Sequence, residues 1–166
     1  NLKNLNEYVP YHHFKMDTFE TALTLVRKNM YMCTSDIKHA YYSVPVAEED
    51  QRYFRLQWKG KTLQYTCIPN GYREGPRLFT KLLKPVFSKL RADGHICTGF
   101  IDDSFLGGNT YDECLNTVWV SHGLLERLGF ILNLVKSMVV PAQRVIYLGF
   151  IIDSILIAIG QGGNGC

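Results

Sequence analysis

The sequence has no apolar run of the roughly 18 residues that a membrane-spanning helix needs, so we expect no membrane partner. It also lacks an initiator methionine and a signal-peptide pattern at its start, which predicts an internal fragment of a longer protein. With 166 residues, 46% of them hydrophobic and 20% charged, the chain is long enough to bury a sizeable core as one domain.

Paired metal-binding or disulfide-forming side chains are missing as well. The five cysteines stand singly without a Cys-x-x-Cys motif, and the five histidines show no zinc-ligand spacing with them. We therefore expect reduced, mostly buried thiols in an intracellular protein of the cytoplasm or nucleus. These cysteines are Cys33, Cys67, Cys97, Cys114 and Cys166.

Acidic residues are scarce between residues 51 and 91, where Glu74 is the only acid among ten basic residues. Arg73, Arg77, Lys81 and Lys84 recur at spacings of four, four and three, so they are predicted to share one helix face without an acid to pair them. Such a face is either a solvated surface or a contact for a polyanion such as nucleic acid.

Two adjacent acids, Asp102 and Asp103, lie between apolar residues in a stretch that has Gly99 and Gly108 at its ends. This pattern predicts a tight β-hairpin that carries the acids at its tip. A third acid, Asp36, follows an apolar run typical of a buried strand. An acidic turn is by itself ordinary, because aspartate is a common turn former.

The remaining elements predict a ferredoxin-like split βαβ plan with an inserted subdomain. Helices are expected at residues 18–29, from Gly75 with a kink at Pro85, and from the Thr110–Glu113 capping box to Gly129. Strands are expected at residues 52–58, 61–68, 130–133 and 137–140, and a strand or hairpin at 144–153, whereas residues 154–166 fit no element. The inward side chains of the two long helices are predicted to be Phe79, Leu82, Leu83, Val86, Phe87, Leu90, Leu115, Val118, Trp119, His122, Leu125 and Leu128.

In this plan the strand ending at Asp36 can lie beside the hairpin that bears Asp102 and Asp103. Three carboxylates at one sheet edge would repel one another and raise each other's pKa. Divalent cations relieve that repulsion, and carboxylate oxygens suit Mg²⁺.

At this point the chain resembles a reverse transcriptase, because five motifs occur in the family's order. Residues 35–45 resemble the first catalytic motif, residues 69–79 the second, and Phe100-Ile101-Asp102-Asp103 the YxDD box. Residues 128–137 and Tyr147-Leu148-Gly149-Phe150 resemble the fourth motif and the primer grip. The sequence of residues 14–16, 79–85 and 90–94 is similar to that of DIRS-type retrotransposons.

The resemblance implies an α+β reverse-transcriptase palm, a split βαβ sheet with helices on one face, and partial fingers without a thumb. The palm with partial fingers would cover residues 1–153, with fingers at about 1–30 and 46–68, and residues 154–166 would be a divergent tail. Implied partners are an RNA/DNA template-primer, dNTP and the rest of a retroelement polyprotein: thumb, RNase H and, in a DIRS-type element, a tyrosine recombinase.

The resemblance also implies roles for residues that match the family's motifs. Asp36 and Asp102 would bind two Mg²⁺ ions, with Mn²⁺ as an alternative, supported by Asp103 and the Ile37 carbonyl. Tyr41 would exclude ribonucleotides, and Lys136 would protonate the leaving pyrophosphate. The substrate-binding positions would be Tyr41, Asn70, Gly71, Arg73 and Arg77. The alternative is a catalytically inactive remnant that at most binds nucleic acid.

Overall fold

A computed structural model describes residues 2–162. The helices are α1 (Lys3–Tyr8), α2 (Phe19–Leu25), α3 (Gly75–Ala92) and α4 (Tyr111–Arg127), with 3-10 turns at Ala40–Ser43 and Glu48–Phe54. The strands are β1 (Tyr31–Lys38), β2 (Arg55–Trp58), β3 (Lys61–Gln64), β4 (Ile96–Phe100), β5 (Asp103–Gly108), β6 (Ile131–Leu132), β7 (Met138–Ala142), β8 (Arg144–Tyr147), β9 (Phe150–Asp153) and β10 (Ala158–Gln161).

The central sheet is built around β1, and its strand pairs are all antiparallel. One edge of β1 pairs with β5, which in turn pairs with β4. Its other edge pairs with β7 near the start of β1 and with β6 near its end. Two smaller sheets accompany it, the β2–β3 hairpin and the β8–β9–β10 meander. The predicted strand delivering Asp36 and the predicted acid-bearing hairpin are both confirmed.

One face of the central sheet is covered by α3 and α4. Cys33 and Ile37 of β1 and Leu106 of β5 point to this face, where they join a core that includes Phe79 of α3 and Val118 of α4. Side chains alternate between the two faces of a strand, so every second residue of β1 and β5 is committed to these helices. The predicted α+β palm with its long helices on one face is confirmed.

The opposite face carries a second, smaller core. Met32 of β1 and Phe105 of β5 pack there with Ala22 of α2 and with Tyr147 of the β8–β9 hairpin. Helix α2 therefore departs from the expectation that all helices lie on one face. Asp36 and Asp103 have the same strand parity as Met32 and Phe105, so their side chains belong to this second face.

Helix α4 begins directly against β5. A methyl group on Gly108 would stand 2.2 Å from the backbone nitrogen of Cys114, which shows that only glycine permits this approach. Thr110 accepts a hydrogen bond from the Glu113 N–H at 3.1 Å, as the predicted capping box requires. The Glu113 carboxylate accepts from the N–H of Asn109 rather than from that of Thr110.

Several of the predicted element limits were wrong. The strand expected at residues 61–68 ends at Gln64. The helix expected at residues 18–29 ends at Leu25, because Val26 is already extended. The strand expected at residues 52–58 starts at Arg55, since the preceding residues form a 3-10 turn. The tail does contain an element, because β10 pairs with β9. Residues 163–166, including Cys166, lie outside the described residues.

The helix faces are narrower than the sequence predicted. Leu82, Trp119 and Leu128 were expected to point inward, but they are 46%, 73% and 54% exposed. Each long helix packs on the sheet along one stripe of side chains, and the side chains next to that stripe remain exposed to solvent. Helix α3 continues through Pro85 to Ala92. Among residues 2–162 no helix has the length and apolar character needed to cross a bilayer.

Gly108→Ala is expected to lower the free energy of unfolding by about 1–3 kcal/mol, because the added methyl forces α4 away from β5. Gly123→Ala is the matched control, since a methyl there meets no atom within 4 Å on α4. The control should raise the free energy of unfolding by about 0.5–1 kcal/mol. Urea unfolding of the three proteins measures both effects, and equal stability of Gly108→Ala and wild type would refute the packing described for α4.

Candidate active site

The pairing of β1 with β5 brings two predicted site residues face to face. Asp36 is the Cα partner of Asp103, and Ser35 is the partner of Ser104. Residues that are directly opposite in an antiparallel pair direct their side chains to the same face, about 5 Å apart at Cβ. Asp36 is buried and Asp103 is partly buried. Two carboxylates are therefore held side by side on the face that α3 and α4 leave free.

Asp102 joins them from the turn of the β4–β5 hairpin. Phe100 pairs with Asp103, so Ile101 and Asp102 form a two-residue turn. Ile101 has a φ of 53°, which is unusual for a β-branched residue and costs on the order of 1–3 kcal/mol. The Asp102 carbonyl accepts the Ile37 N–H at 2.8 Å, and this bond fixes the turn against the end of β1.

The three carboxylates influence one another electrostatically. Burial raises the pKa of Asp103 to about 6, and the negative charges of Asp102 and Asp36 contribute to the rise. Burial also raises the pKa of Asp102, with a further contribution from Asp36. The positive charge of Lys136 opposes both shifts. Ionising all three acids together is therefore costly unless a cation is nearby.

The three acids are the candidate ligands for a divalent metal ion. Within residues 2–162 no three His, Cys, Asp or Glu side chains converge closely enough to hold a metal. The donor set nevertheless fits Mg²⁺ or Mn²⁺ in kind, because it consists of carboxylate oxygens whose mutual repulsion a cation would relieve. The Ile37 N–H donates to the Asp102 carbonyl. The Ile37 C=O also points toward the edge of β1 that faces β5, since the N–H and C=O of a strand residue point to one edge.

A small cavity lies beside Asp102. Its volume is about 220 Å³, and the predicted residues Tyr41 and Asn70 line it together with Asp102 and Ile101. The Tyr41 ring packs edge-on against Phe79 with ring centroids 5.9 Å apart. Burial raises the pKa of the Tyr41 phenol, and the charge of Asp102 raises it further. The structure thus brings Tyr41, Asn70 and one acid to a common space.

The other predicted substrate-binding residues lie elsewhere. Gly71 and Arg73 line a neighbouring cavity of about 650 Å³ between α1 and the turn before α3, and Asn70 borders both cavities. The Arg73 guanidinium donates to the backbone carbonyls of Asn6 and Val9, so it holds the N-terminal segment in place. Neither Arg73 nor Arg77 lines the cavity of Tyr41.

The row of unpaired cations predicted for α3 is also corrected. Arg77 donates to Glu74, a buried carboxylate three residues earlier that also contacts His12 at 3.2 Å. The expectation that no acid pairs these cations was wrong, because Glu74 lies one helical turn before Arg77. Arg73 lies before α3, so only Arg77, Lys81 and Lys84 share the helix, where Lys81 and Lys84 are exposed.

Some residues near the acids were not predicted to act there. The Tyr147 hydroxyl is buried and has no hydrogen-bond partner among the described residues. Burial raises the pKa of the Tyr147 phenol, with contributions from the charges of Asp103 and Asp17. Ser35, next to Asp36, is hydrogen-bonded to His122 of α4 at 3.0 Å. Of these residues, the sequence drew attention only to Tyr147, through its place in the primer-grip motif.

Sequence comparison identifies the class of protein to which this chain belongs. Residues 1–152 match the family model described as "Reverse transcriptase (RNA-dependent DNA polymerase)". The chain belongs to this family.

Relatives and solved structures agree with that assignment. The chain is 26% identical over 158 residues to the Gag-Pol polyprotein of avian reticuloendotheliosis virus, covering 90% of this chain and 14% of the relative. It is 22% identical over 153 residues to the enzymatic polyprotein of figwort mosaic virus (strain DxS), covering 92% of this chain and 22% of the relative. The chain thus spans less than a quarter of either relative.

Among solved structures, a foamy viral protease-reverse transcriptase in complex with RNA/DNA hybrid superposes with a TM-score of 0.81 at 25% identity. That match covers 93% of this chain and 20% of the solved chain. A second foamy viral structure, in complex with double-stranded DNA, has a TM-score of 0.84 at 24% identity over 96% of this chain and 27% of the solved chain. The second likeness supports the fold alone.

Asp103→Asn is expected to stabilise the folded chain more at pH 7.5 than at pH 5. The folded pKa of Asp103, about 6, lies above its ordinary value of 3.8. Stability therefore falls as pH rises between these two values, where the unfolded carboxyl is ionised and the folded one still holds its proton, and the loss is complete above about pH 6. Removing the charge should recover on the order of 1 kcal/mol at pH 7.5, after allowance for partial solvent screening.

Urea unfolding at both pH values in the presence of EDTA measures this difference. Glu49→Gln, at an exposed acid of a 3-10 turn, is the control and should show no such difference between the two pH values. Stabilisation of Asp103→Asn at pH 5 equal to that at pH 7.5 would contradict the raised pKa.

Proposed function

We propose that this chain is the catalytic part of an RNA-directed DNA polymerase, which adds dNTP to a primer 3′-hydroxyl on an RNA or DNA template. The observation that carries the proposal is the juxtaposition of Asp36 and Asp103 beside Asp102, next to a cavity lined by Tyr41 and Asn70. Membership of the reverse transcriptase family supports it. Phosphoryl transfer mainly requires alignment of the reactants and neutralisation of charge. The cavity would provide the alignment, and metal ions held by the acids would neutralise the charge.

The metal-binding part of the proposal assigns Asp36 and Asp102 as ligands, with Asp103 and the Ile37 carbonyl in support. When bound, two Mg²⁺ or Mn²⁺ ions would lower the pKa of the primer hydroxyl and neutralise the triphosphate. The electrostatic support is the raised pKa of Asp102 and of Asp103, to which neighbouring carboxylates contribute. Burial holds these acids in place, so little reorganisation is needed when the charge develops.

The cavity beside Asp102 is proposed to hold the incoming nucleotide. The Tyr41 ring would lie under the sugar and exclude a 2′-hydroxyl by steric conflict. Phe79 contacts this ring edge-on, and a Cβ added at Gly75 would stand 3.6 Å from the ring, so the ring lies close to the start of α3. Asn70, which lines the same cavity, would contact the nucleotide, and Gly71 would allow the backbone to approach it.

Basic residues are proposed to act on the phosphates. Lys136 would donate a proton to the leaving pyrophosphate, and its charge already acts on Asp102 and Asp103. Arg73 and Arg77 keep their proposed place on the template or nucleotide side only if substrate displaces their present contacts to the N-terminal segment and to Glu74.

The proposed partners follow from the relatives. Two foamy viral relatives were solved with RNA/DNA hybrid and with double-stranded DNA, and we propose a template-primer of the same kinds here. The relatives are polyproteins, so thumb and RNase H are proposed to lie in the same polypeptide. A DIRS-type origin, with a tyrosine recombinase, is supported by the wording of residues 14–16, 79–85 and 90–94. The proposed location is the cytoplasm or nucleus.

The alternative function is nucleic-acid binding by a catalytically inactive remnant. The observation that favours it is the absence of three converging metal ligands among residues 2–162. The two functions differ in whether DNA synthesis occurs and depends on the acids.

Asp102→Asn is expected to abolish primer extension by more than about 100-fold, because loss of metal-assisted charge stabilisation costs several kcal/mol. The assay uses a protein that carries this chain in its natural sequence context, with Mg²⁺ or Mn²⁺. Asp112→Asn, at an exposed acid on α4, is the matched control and should retain extension. Nucleic-acid binding without extension by the unmodified protein would instead support the remnant.

Tyr41→Ala is expected to raise the ratio of rNTP to dNTP incorporation by about tenfold or more, because the ring that would clash with a 2′-hydroxyl is gone. Tyr41→Phe keeps the ring and should leave the ratio close to that of the unmodified protein. Single-nucleotide incorporation with matched rNTP and dNTP measures the ratio. An unchanged ratio in Tyr41→Ala would remove Tyr41 from the proposed selectivity.

A further inference from the structure

The strands β6 and β7 pair with the same edge of β1, and the pairing is interrupted between them, beside Asp36. Thr34 pairs with Met138, and Ile37 pairs with Leu132. Thr34 and Ile37 are three positions apart on β1 (37 − 34), whereas their partners Leu132 and Met138 are six positions apart (138 − 132). Three extra residues therefore loop out between β6 and β7. The looped residues 134–136 are exposed. Lys136 is the last of them.

The backbone of Asp36 lies in the gap left by this interruption. Its N–H donates to the Ser137 hydroxyl at 3.0 Å, and its C=O accepts the Asn133 N–H at 2.8 Å. Both groups point away from β5, because the N–H and C=O of one strand residue share an edge. Asp36 is only 8% exposed, so water is a poor substitute for either partner.

The Ser137 hydroxyl uses its donor and its acceptor capacity in this gap. It accepts the Asp36 N–H and donates to the Asn133 carbonyl at 2.8 Å. The same carbonyl accepts the backbone N–H groups of Lys136 at 3.1 Å and Ser137 at 3.0 Å, which close the exposed turn. One hydroxyl thus joins the backbone of an acid to the base of the turn that carries Lys136.

We infer that Ser137 is a positioning residue, whose hydroxyl fixes the position of Asp36 relative to the turn that carries Lys136. This inference rests on the proposed polymerase function, in which Asp36 binds metal and Lys136 acts on the pyrophosphate. Ser137→Ala removes the link but keeps the two backbone hydrogen bonds that close the turn. Ser137→Thr keeps the hydroxyl. The effect of the link can therefore be separated from the effect of the turn.

Amide hydrogen exchange tests the link itself on the 166-residue chain. In Ser137→Ala the Asp36 N–H loses its acceptor and should exchange about tenfold faster, relative to the amides of β5 in the same protein. That reference removes any general loss of stability. Ser137→Thr should exchange like wild type, and so should Ser88→Ala, which makes the same change at an exposed serine of α3. An unchanged Asp36 rate in Ser137→Ala would overturn the inference.

A second pair of readouts tests whether the link matters for the site. Mn²⁺ affinity, measured on the same chain by the EPR signal of free Mn²⁺, should fall about tenfold in Ser137→Ala and recover in Ser137→Thr. In the protein with its natural sequence context, Ser137→Ala should lower kcat while the KM for dNTP stays within about twofold. Faster exchange with unchanged Mn²⁺ affinity and kcat would overturn the positioning role.

Failure of the proposed function gives a different result. In that case wild type neither binds Mn²⁺ nor extends a primer, whatever the exchange rate of the Asp36 amide. Such a result would overturn the positioning role together with the function on which it rests.

Discussion

The antiparallel pairing of β1 with β5 is the constraint on which this structure depends. It places Asp36 opposite Asp103, although 67 positions separate them along the chain (103 − 36). The pairing is stabilised from the other face, where alternate residues of both strands are buried against α3 and α4. The close approach of α4 at Gly108 belongs to the same arrangement. One face of each strand therefore packs on the two long helices, and the other carries the smaller core together with Asp36 and Asp103.

The acid-bearing face is electrostatically unfavourable by itself. Burial and neighbouring negative charge raise the pKa of Asp102 and of Asp103, and Lys136 only partly offsets this. A β-branched residue at positive φ in the hairpin turn adds backbone strain at the same place. Such local costs are typical of functional sites, where the rest of the fold fixes an arrangement that would not form by itself. A divalent cation would convert the repulsion into binding energy.

The sequence predicted features that depend on neighbours along the chain. The acid-bearing hairpin, the start of α3 at Gly75 and the cap at Thr110 follow from local patterns and were confirmed. The exposure of Trp119 could not be predicted, because its helix position does not reveal how wide the packed stripe is. The Ser137 link was also hidden, since it depends on a bulge between two strand pairings. The roles carried over from family motifs stay predictions.

The central claim is that acids from two distant parts of the chain share one metal site. Replacing Mg²⁺ with Fe²⁺ and adding ascorbate and peroxide generates hydroxyl radicals at the bound ion, which cut the nearby backbone. The account predicts two sets of cuts, one around residue 36 and one around residues 102–103, both suppressed by excess Mg²⁺. Cuts at only one of these segments, or cuts spread evenly over the chain, would contradict a shared site.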